Sequence, residues 1–394
     1  MPPLPDGRPD DHGLDGEPIA RAAATILDMT RREDAEADPR PYAAVSGVLV
    51  HAGHVVGRVH GGWLATHDAS GEPIPRGRRV PATTGTLFDL ASLTKVVTTV
   101  LTLQLIDDGL LDLDAPVGKV LPELASAPDD LGRRRVTARH LLTHTAGLPV
   151  HHPIWRDGAT REARLEAALR APLQSEPGVE RAYCDLGFIA LGIMVERLRG
   201  DSLETVVRTR VTEPLGLRDT AYGPVAVTRS AASEIQRDPD RRLVHGEVHD
   251  ENAWALGGVS GHAGLFSTAD DLAVLGQCLV EGGSLAGATL LSPAAVALMT
   301  APIREAHPLG GRPRHTLGWD LDQPWFMGRL AGPRTIGHTG FTGTSLVLDL
   351  ETGSTVVLLT NRVHPSRATG SSREARLLWA DALAAARGGG RPRD

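Results

Sequence analysis

Ser92-Leu93-Thr94-Lys95 sets a hydroxyl and an amine three positions apart at the head of a helix, on one face. A serine hydroxyl is a poor nucleophile until a neighbouring base takes its proton. A buried lysine with a lowered pKa is one way to supply that base. Phe88–Ala91 leads in, and Val96–Ile106 is an apolar run long enough for a buried helix. The pair therefore falls where an amine can lose its water. A solvated turn with a surface lysine would spell the same four letters, so two stretches further along decide between the readings.

The first is Tyr183-Cys184-Asp185. Pro177-Gly178 marks a turn before it, and Leu186–Arg197 reads as a helix after it. Tyr183 then lies on a loop before a helix, where a phenol can point into a cleft. A core tyrosine with a satisfied hydroxyl is the competing reading. The second is His338-Thr339-Gly340. Leu346–Leu350, a turn at Glu351-Thr352-Gly353, and Ser354–Leu359 follow it as a hairpin. A strand with glycine at a point of close approach suits a substrate lying along its backbone, and such an edge can lend an N–H to an oxyanion hole. An ordinary glycine-kinked edge strand fits the same letters.

The three elements in this order resemble the serine β-lactamase and penicillin-binding protein superfamily, which carries S-x-x-K and K-T-G motifs. The nearest likeness is to its class C-like branch of β-lactamases, D-Ala-D-Ala carboxypeptidases, family VIII esterases and related acyltransferases. That branch has Tyr-x-Asn in the middle and Lys-Thr-Gly or His-Thr-Gly third. The likeness runs from about Ala43 to the C-terminal helix and includes Val136–Leu148 and Gly257–Leu272. It implies an α/β (α+β) fold of the β-lactamase/transpeptidase type. An antiparallel sheet from both ends of the chain would be flanked by helices, with a helical domain inserted. It also implies roles. Ser92 becomes acylated, Lys95 keeps it activated, and Tyr183 relays protons. The backbone N–H groups of Ser92 and Phe341 form the oxyanion hole. His338, Thr339 and Gly340 line the substrate, with His338 in the place of the usual lysine.

Asp185 departs from the Tyr-x-Asn pattern. The family's Asn amide donates to an amide carbonyl on the substrate, whereas an ionised Asp has no donor to give. Asp185 is expected to pair with Lys95 or with a cationic group on the substrate. That disfavours a β-lactam or a peptidoglycan stem and favours an ester or another acyl donor. The expected activity is a serine hydrolase or acyltransferase working through acyl-Ser92. Its partners are a small acyl donor and a water, amine or alcohol acceptor. A D-Ala-D-Ala carboxypeptidase or class C-like β-lactamase is the alternative. A penicillin-binding-type sensor module is the non-enzyme one. No metal and no organic cofactor is implied.

Composition agrees. At 394 residues the chain can bury a large core, and a net charge of −7 carries no basic nucleic-acid footprint. Two cysteines, Cys184 and Cys278, make no disulfide framework. No apolar stretch reaches the ~18 residues of a membrane span. Met1–Gly16 lacks the basic and apolar regions of a signal peptide, so a cytoplasmic location is expected.

The expected layout is a disordered 1–16, a sheet domain from 17–95 and 326–387, a mostly helical 96–325, and a disordered 388–394. Within it, Glu17–Asp34 reads as a helix, Ala43–Val50 and His54–Thr66 as paired strands, and Ser371–Arg387 as a closing helix. Rival sites are weaker. Gly258-Val259-Ser260-Gly261-His262 approaches a G-x-S-x-G elbow but ends in His. His140 and His144 have zinc-helix spacing without the glutamate of H-E-x-x-H, and are expected to be satisfied by backbone carbonyls. His245, His249 and Asp250 read as a loop-ordering cluster, or alternatively as cleft lining. Trp155, Trp254, Trp319 and Trp325 read as core, with one or two free to form an acyl pocket.

Overall fold

The computed structural model describes residues 4–31, 41–127, 131–303 and 314–388. The run AVSGVLVH forms β1 (Ala44–His51) and pairs with β2 (His54–Gly62) across the Ala52-Gly53 turn. Both turn residues have positive φ, which is the backbone a two-residue hairpin turn needs. β1 is buried on both faces. Its side chains alternate with the period of 2 that a strand imposes. Val45 and Leu49 enter one apolar cluster, and Ala44, Val48 and Val50 enter the other.

The remaining strands come from the far end of the chain. They are β3 (His315–Thr316), β4 (Trp319–Leu321), β5 (Thr335–Thr339), β6 (Ser345–Asp349) and β7 (Ser354–Thr360). The seven-stranded order is β3-β4-β5-β6-β7-β1-β2, antiparallel throughout. One sheet is thus assembled from both ends of the sequence, a mixed helix-and-sheet architecture of the β-lactamase/transpeptidase type.

Two helices cover one face. In α1 (Gly16–Met29) the buried residues Ile19, Ala22, Ile26 and Met29 recur at helical spacing. Against them runs α5 (Arg373–Ala386), whose Trp379 is fully buried. Its indole donates to Val357 O at 3.1 Å. Gly47 lies directly beneath, where a Cβ would come within 3.0 Å of the indole nitrogen. The other face carries α4 (Ala269–Val280), capped by Thr268. Behind α4 lie α2 (Thr94–Asp107) and α3 (Asp185–Arg199), in the same apolar cluster as β1 and β7.

Several boundaries differ from the sequence reading. The stretch 4–16 is ordered, not disordered: Gly7 N–H donates to Val55 O and Val55 N–H to Pro5 O, closing the open edge of β2. Leu14 is buried and Asp6 pairs with Arg58. Composition suggested disorder, but an unpaired sheet edge supplies hydrogen bonds that no composition reveals. The C-terminal part of the sheet starts before 326, because β3 and β4 join it. These strands of two and three residues are too short to show a period. α1 ends at Met29, and the reading of helix to Asp34 runs outside the described residues. So does all of the 388–394 tail except residue 388. Among the described residues, no helix is long and apolar enough to cross a membrane.

Candidate active site

Ser92 lies in a tight helical turn (Ala91–Leu93) that opens directly into α2. The residue before it is strained: Ala91 has φ +46°, a region that non-glycine residues rarely occupy. Asp89 holds that conformation. Its buried carboxylate accepts from Ala91 N–H at 2.8 Å and from His249 N–H at 2.6 Å. Burial nevertheless pushes its pKa up.

One turn on, Lys95 is fully buried. Its ammonium meets Ser92 Oγ at 2.9 Å, Asp185 Oδ1 at 2.7 Å and His262 O at 3.2 Å. It also faces the rings of Tyr183 and Phe188, 5.2 and 5.8 Å from their centroids. The Lys95–Asp185 pair is the one anticipated from the sequence. The lowered lysine pKa is not found. Burial pulls the ammonium down, but the Asp185 carboxylate and Tyr183 raise it further, so it ends above its ordinary value. Lys95 therefore rests as a cation.

Tyr183 precedes α3, is 39% exposed as a residue, and lines the cleft. Burial of its hydroxyl end raises the phenol and the Lys95 charge opposes; Asp185 raises it again, and the net direction is up. His144 stacks on the ring at 4.4 Å between centroids. His338, the last buried residue of β5, has its ring 6.3 Å from that of Tyr183. Its Nδ1 is 2.9 Å from Thr339 O. A carbonyl only accepts, so Nδ1 carries the proton and Nε2 presents a lone pair. Burial, then the Lys95 charge, lowers His338 to about 3, so the ring is neutral.

After β5 the chain turns at Gly340–Thr344, packed hard on the Ser92 turn. Thr342 Oγ1 donates to Asp89 O at 2.7 Å and Thr344 Oγ1 to Leu90 O at 3.0 Å. A Cβ on Gly340 would meet Thr344 Oγ1 at 2.0 Å and Leu90 O at 2.4 Å. Phe341 is half exposed on the cleft. Among the described residues, its N–H makes no hydrogen bond.

Ser92 and Tyr183 open on one cleft of about 610 Å³. Asp185, Thr339, Gly340 and Phe341 also line it, with Asp250, Glu251 and Trp155 on one side and Arg362, Arg367 and Arg373 on another. His338, expected to line the substrate, is buried and instead borders a separate small cavity with His144 and Tyr183, so of the His338-Thr339-Gly340 stretch only Thr339 and Gly340 reach the cleft. The beta-lactamase family model matches residues 40–379. The chain belongs to the beta-lactamase family. It is accordingly a hydrolytic serine enzyme.

Within the family, a putative D-alanyl-D-alanine carboxypeptidase of Escherichia coli K12 is 34% identical over 354 residues, covering 82% of this chain and 79% of the relative. A penicillin-binding protein homologue from Caulobacter crescentus is 25% identical, with a TM-score of 0.65 over 91% of this chain and 96% of that one. EstCE1, a hydrolase with promiscuous acyltransferase activity, shares the fold at 24% identity, with a TM-score of 0.70 over 93% and 99%.

Sequence reading missed part of this beta-lactamase-type site. His249 and Asp250 do line the cleft, and they also order the loop, which the sequence had offered as alternatives. His249 Nε2 meets Glu234 at 2.9 Å, whereas His245 turns away to Ser230 O. His262 Nε2 donates to Asp250 Oδ1 at 2.8 Å, and Ser260 Oγ meets His262 Nδ1 at 2.8 Å. The serine of the elbow-like stretch thus ends a buried chain that fixes the His262 carbonyl under Lys95. Asp185, Asp250 and His262 bring one ligand atom each within 4.8 Å of one another, the spacing a metal ion would need. The Lys95 ammonium already pairs with Asp185, and His262 spends its Nε2–H on Asp250. The cationic position of this site is therefore taken by the protein itself.

His140 Nδ1 accepts from Thr137 N–H in a capping box, and its ring also bonds the Arg135 main chain; His144 Nδ1 lies 3.2 Å from Cys184 O, in line with the expected carbonyl partners. Among the tryptophans, Trp155 lines the cleft, Trp319 is core, and Trp254 and Trp325 are exposed at 38% and 41%. The last two sit on short helices whose other side chains make the core. Cys184 is buried, its thiol raised to about 11 by burial, as suits a packing residue.

Proposed function

We propose that Ser92 carries the acyl group and that the enzyme takes ester or related acyl donors. The observation that supports this most is the contact of Lys95 with both Ser92 Oγ and Asp185. Ser92 Oγ attacks the acyl carbonyl carbon and loses its proton to the Lys95–Tyr183 pair once that pair has released one of its own protons to solvent. The carbonyl oxygen becomes an oxyanion facing the N–H groups of Ser92 and Phe341. On collapse the leaving alcohol or amine takes a proton from Tyr183. Water, an alcohol or an amine then attacks acyl-Ser92, with the same pair acting as base.

Asp185 supports the ester side of this reading. Its carboxylate offers the substrate no donor and is paired with Lys95, so an amide carbonyl on the substrate finds no donor there. Partition between hydrolysis and transfer depends on how well the cleft excludes water while an acceptor is seated. A second reading, a D-Ala-D-Ala carboxypeptidase, is favoured by the name of the E. coli relative and by His338-Thr339-Gly340.

Intact-protein mass spectrometry with a short p-nitrophenyl ester, a penicillin, and a methyl ester with and without an amine tests both. The expected result is a transient adduct from the esters on wild type, absent in Ser92→Ala. Amide product formed only with the amine present assigns acyl transfer. A lasting penicillin adduct without ester turnover selects the carboxypeptidase reading. Full activity of Ser92→Ala on every donor would falsify the mechanism.

A further inference from the structure

Arg376, on the second turn of α5, is buried to 8% exposure. Among the described residues it has no carboxylate partner. Its Nη2 donates to two main-chain carbonyls, Gly340 O at 3.1 Å and Thr344 O at 2.8 Å. Burying a guanidinium without a counter-ion is costly. A neutral amide could tie the same two carbonyls at less expense, so the location of the charge calls for a use.

Gly340 C=O belongs to the same peptide unit as Phe341 N–H. In a trans peptide the N–H points opposite the C=O. Gly340 O takes two donors on one side, Arg376 and, at 3.0 Å, Gly343 N–H. The N–H is thereby turned the other way, and both Gly340 and Phe341 line the cleft. A second arginine braces the next unit, with Arg362 Nε donating to Phe341 O at 2.8 Å. Hydrogen bonds polarise in series, so a cationic donor on the carbonyl makes the N–H of that peptide a stronger donor.

We propose that Arg376 is a positioning residue for the oxyanion hole: its guanidinium aims and polarises the Gly340–Phe341 peptide, whose N–H meets the oxyanion. This rests on the acyl-Ser92 reading above. Burial, and behind it the like charge of Arg362, draws Arg376 down to about 9, which leaves it cationic at neutral pH. The charge acts when the carbonyl oxygen becomes negative, so it serves the transition state more than the bound ester.

The experiment compares an oxo-ester with the matched thiono-ester, whose sulfur accepts hydrogen bonds weakly and draws little from the oxyanion donors. Wild type, Arg376→Met, Arg376→Gln and Arg376→Lys are assayed, with thermal melting to establish folding. Arg376→Met is expected to lose roughly 10- to 100-fold in kcat/KM on the oxo-ester, carried in kcat, since loss of one oxyanion donor costs roughly 100- to 1,000-fold. The thiono-ester should lose far less, so the oxo/thiono ratio collapses. Arg376→Gln keeps a donor without the charge and should fall nearly as far. Arg376→Lys keeps the charge and should recover most of the ratio.

An equal loss on both esters in a folded variant would assign Arg376 to structure alone and overturn the proposal, as would no loss. If neither neutral variant folds, a ratio that collapses in folded Arg376→Lys overturns it, because the retained charge should still polarise the peptide. Intact mass separates the two levels of the argument. An acyl-Ser92 adduct in wild type with a variant ratio like wild type rejects only the Arg376 role. No adduct in wild type rejects the acyl-Ser92 reading itself.

Discussion

Lys95 is one of two lysines in a chain whose other cations are arginines. A guanidinium could not serve here, because it does not give up its proton. The resting site nonetheless holds Lys95 charged, and the residue responsible is Asp185. Its carboxylate raises both Lys95 and Tyr183, the two candidate bases. Removing that charge lets both pKa values fall, so a base becomes available at lower pH. For Asp185→Asn, the alkaline rise of kcat/KM on a p-nitrophenyl ester is expected to move down by at least about one pH unit. An unmoved profile would separate Asp185 from proton transfer. His338 follows a different rule. It is neutral across the working range, so replacing it with Gln should alter KM more than the shape of the pH profile.

The elements around these residues work by close approach. The turn after β5 is pressed against Leu90 O, and only a glycine fits at 340. Gly340→Ala must move backbone, since Leu90 O cannot rotate aside. An overpacking cost of about 1–3 kcal/mol is expected, along with loss of at least about 100-fold in kcat/KM because an oxyanion donor moves with the loop. Denaturant unfolding and ester kinetics on one preparation check both.

What could be read from the sequence follows from the same distinction. Ser92 and Lys95 were legible because helical spacing alone places them together. The β6–β7 hairpin was legible from its turn and its flanking apolar runs. Tyr183, His338 and Phe341 depended on family likeness, since nothing local says that a loop before α3 and the end of β5 meet. The Asp250–His262–Ser260 chain and the Arg376 contact were not legible. The first depends on how two loops fold onto each other and the second on main-chain carbonyls, and neither leaves a trace in residue type or spacing. The edge strands β3 and β4 and the N-terminal segment on β2 were missed because backbone pairing, not side-chain pattern, defines them.

At the scale of the molecule, two buried histidines contribute to the acid behaviour. His338 and His144 are held below the ordinary 6.5, chiefly by burial. The folded chain then binds fewer protons than the unfolded one as pH drops below 6.5. Stability should therefore fall with acidification through that window, toward about 3 for His338. Melting temperature plotted against pH should be flatter in His338→Gln than in wild type. The outer layer makes a separate contribution. Trp379→Ala leaves a void between α5 and the sheet and is expected to cost about 3–5 kcal/mol in urea unfolding.

The pairing of β1 with β7 has a bearing on how the enzyme is made. Val45 must find Thr360, and Asp15 N–H must find Ala386 O. At about 5–20 residues per second, a ribosome needs roughly 15–60 s to deliver the second partner after the first. Through that interval the nucleophile turn, already synthesised, has neither His338, nor Phe341, nor Arg376 to face. Hydrolytic competence is thus withheld until the segment through Arg376 has been made, and a nascent chain carries an exposed β-hairpin that chaperones have reason to hold.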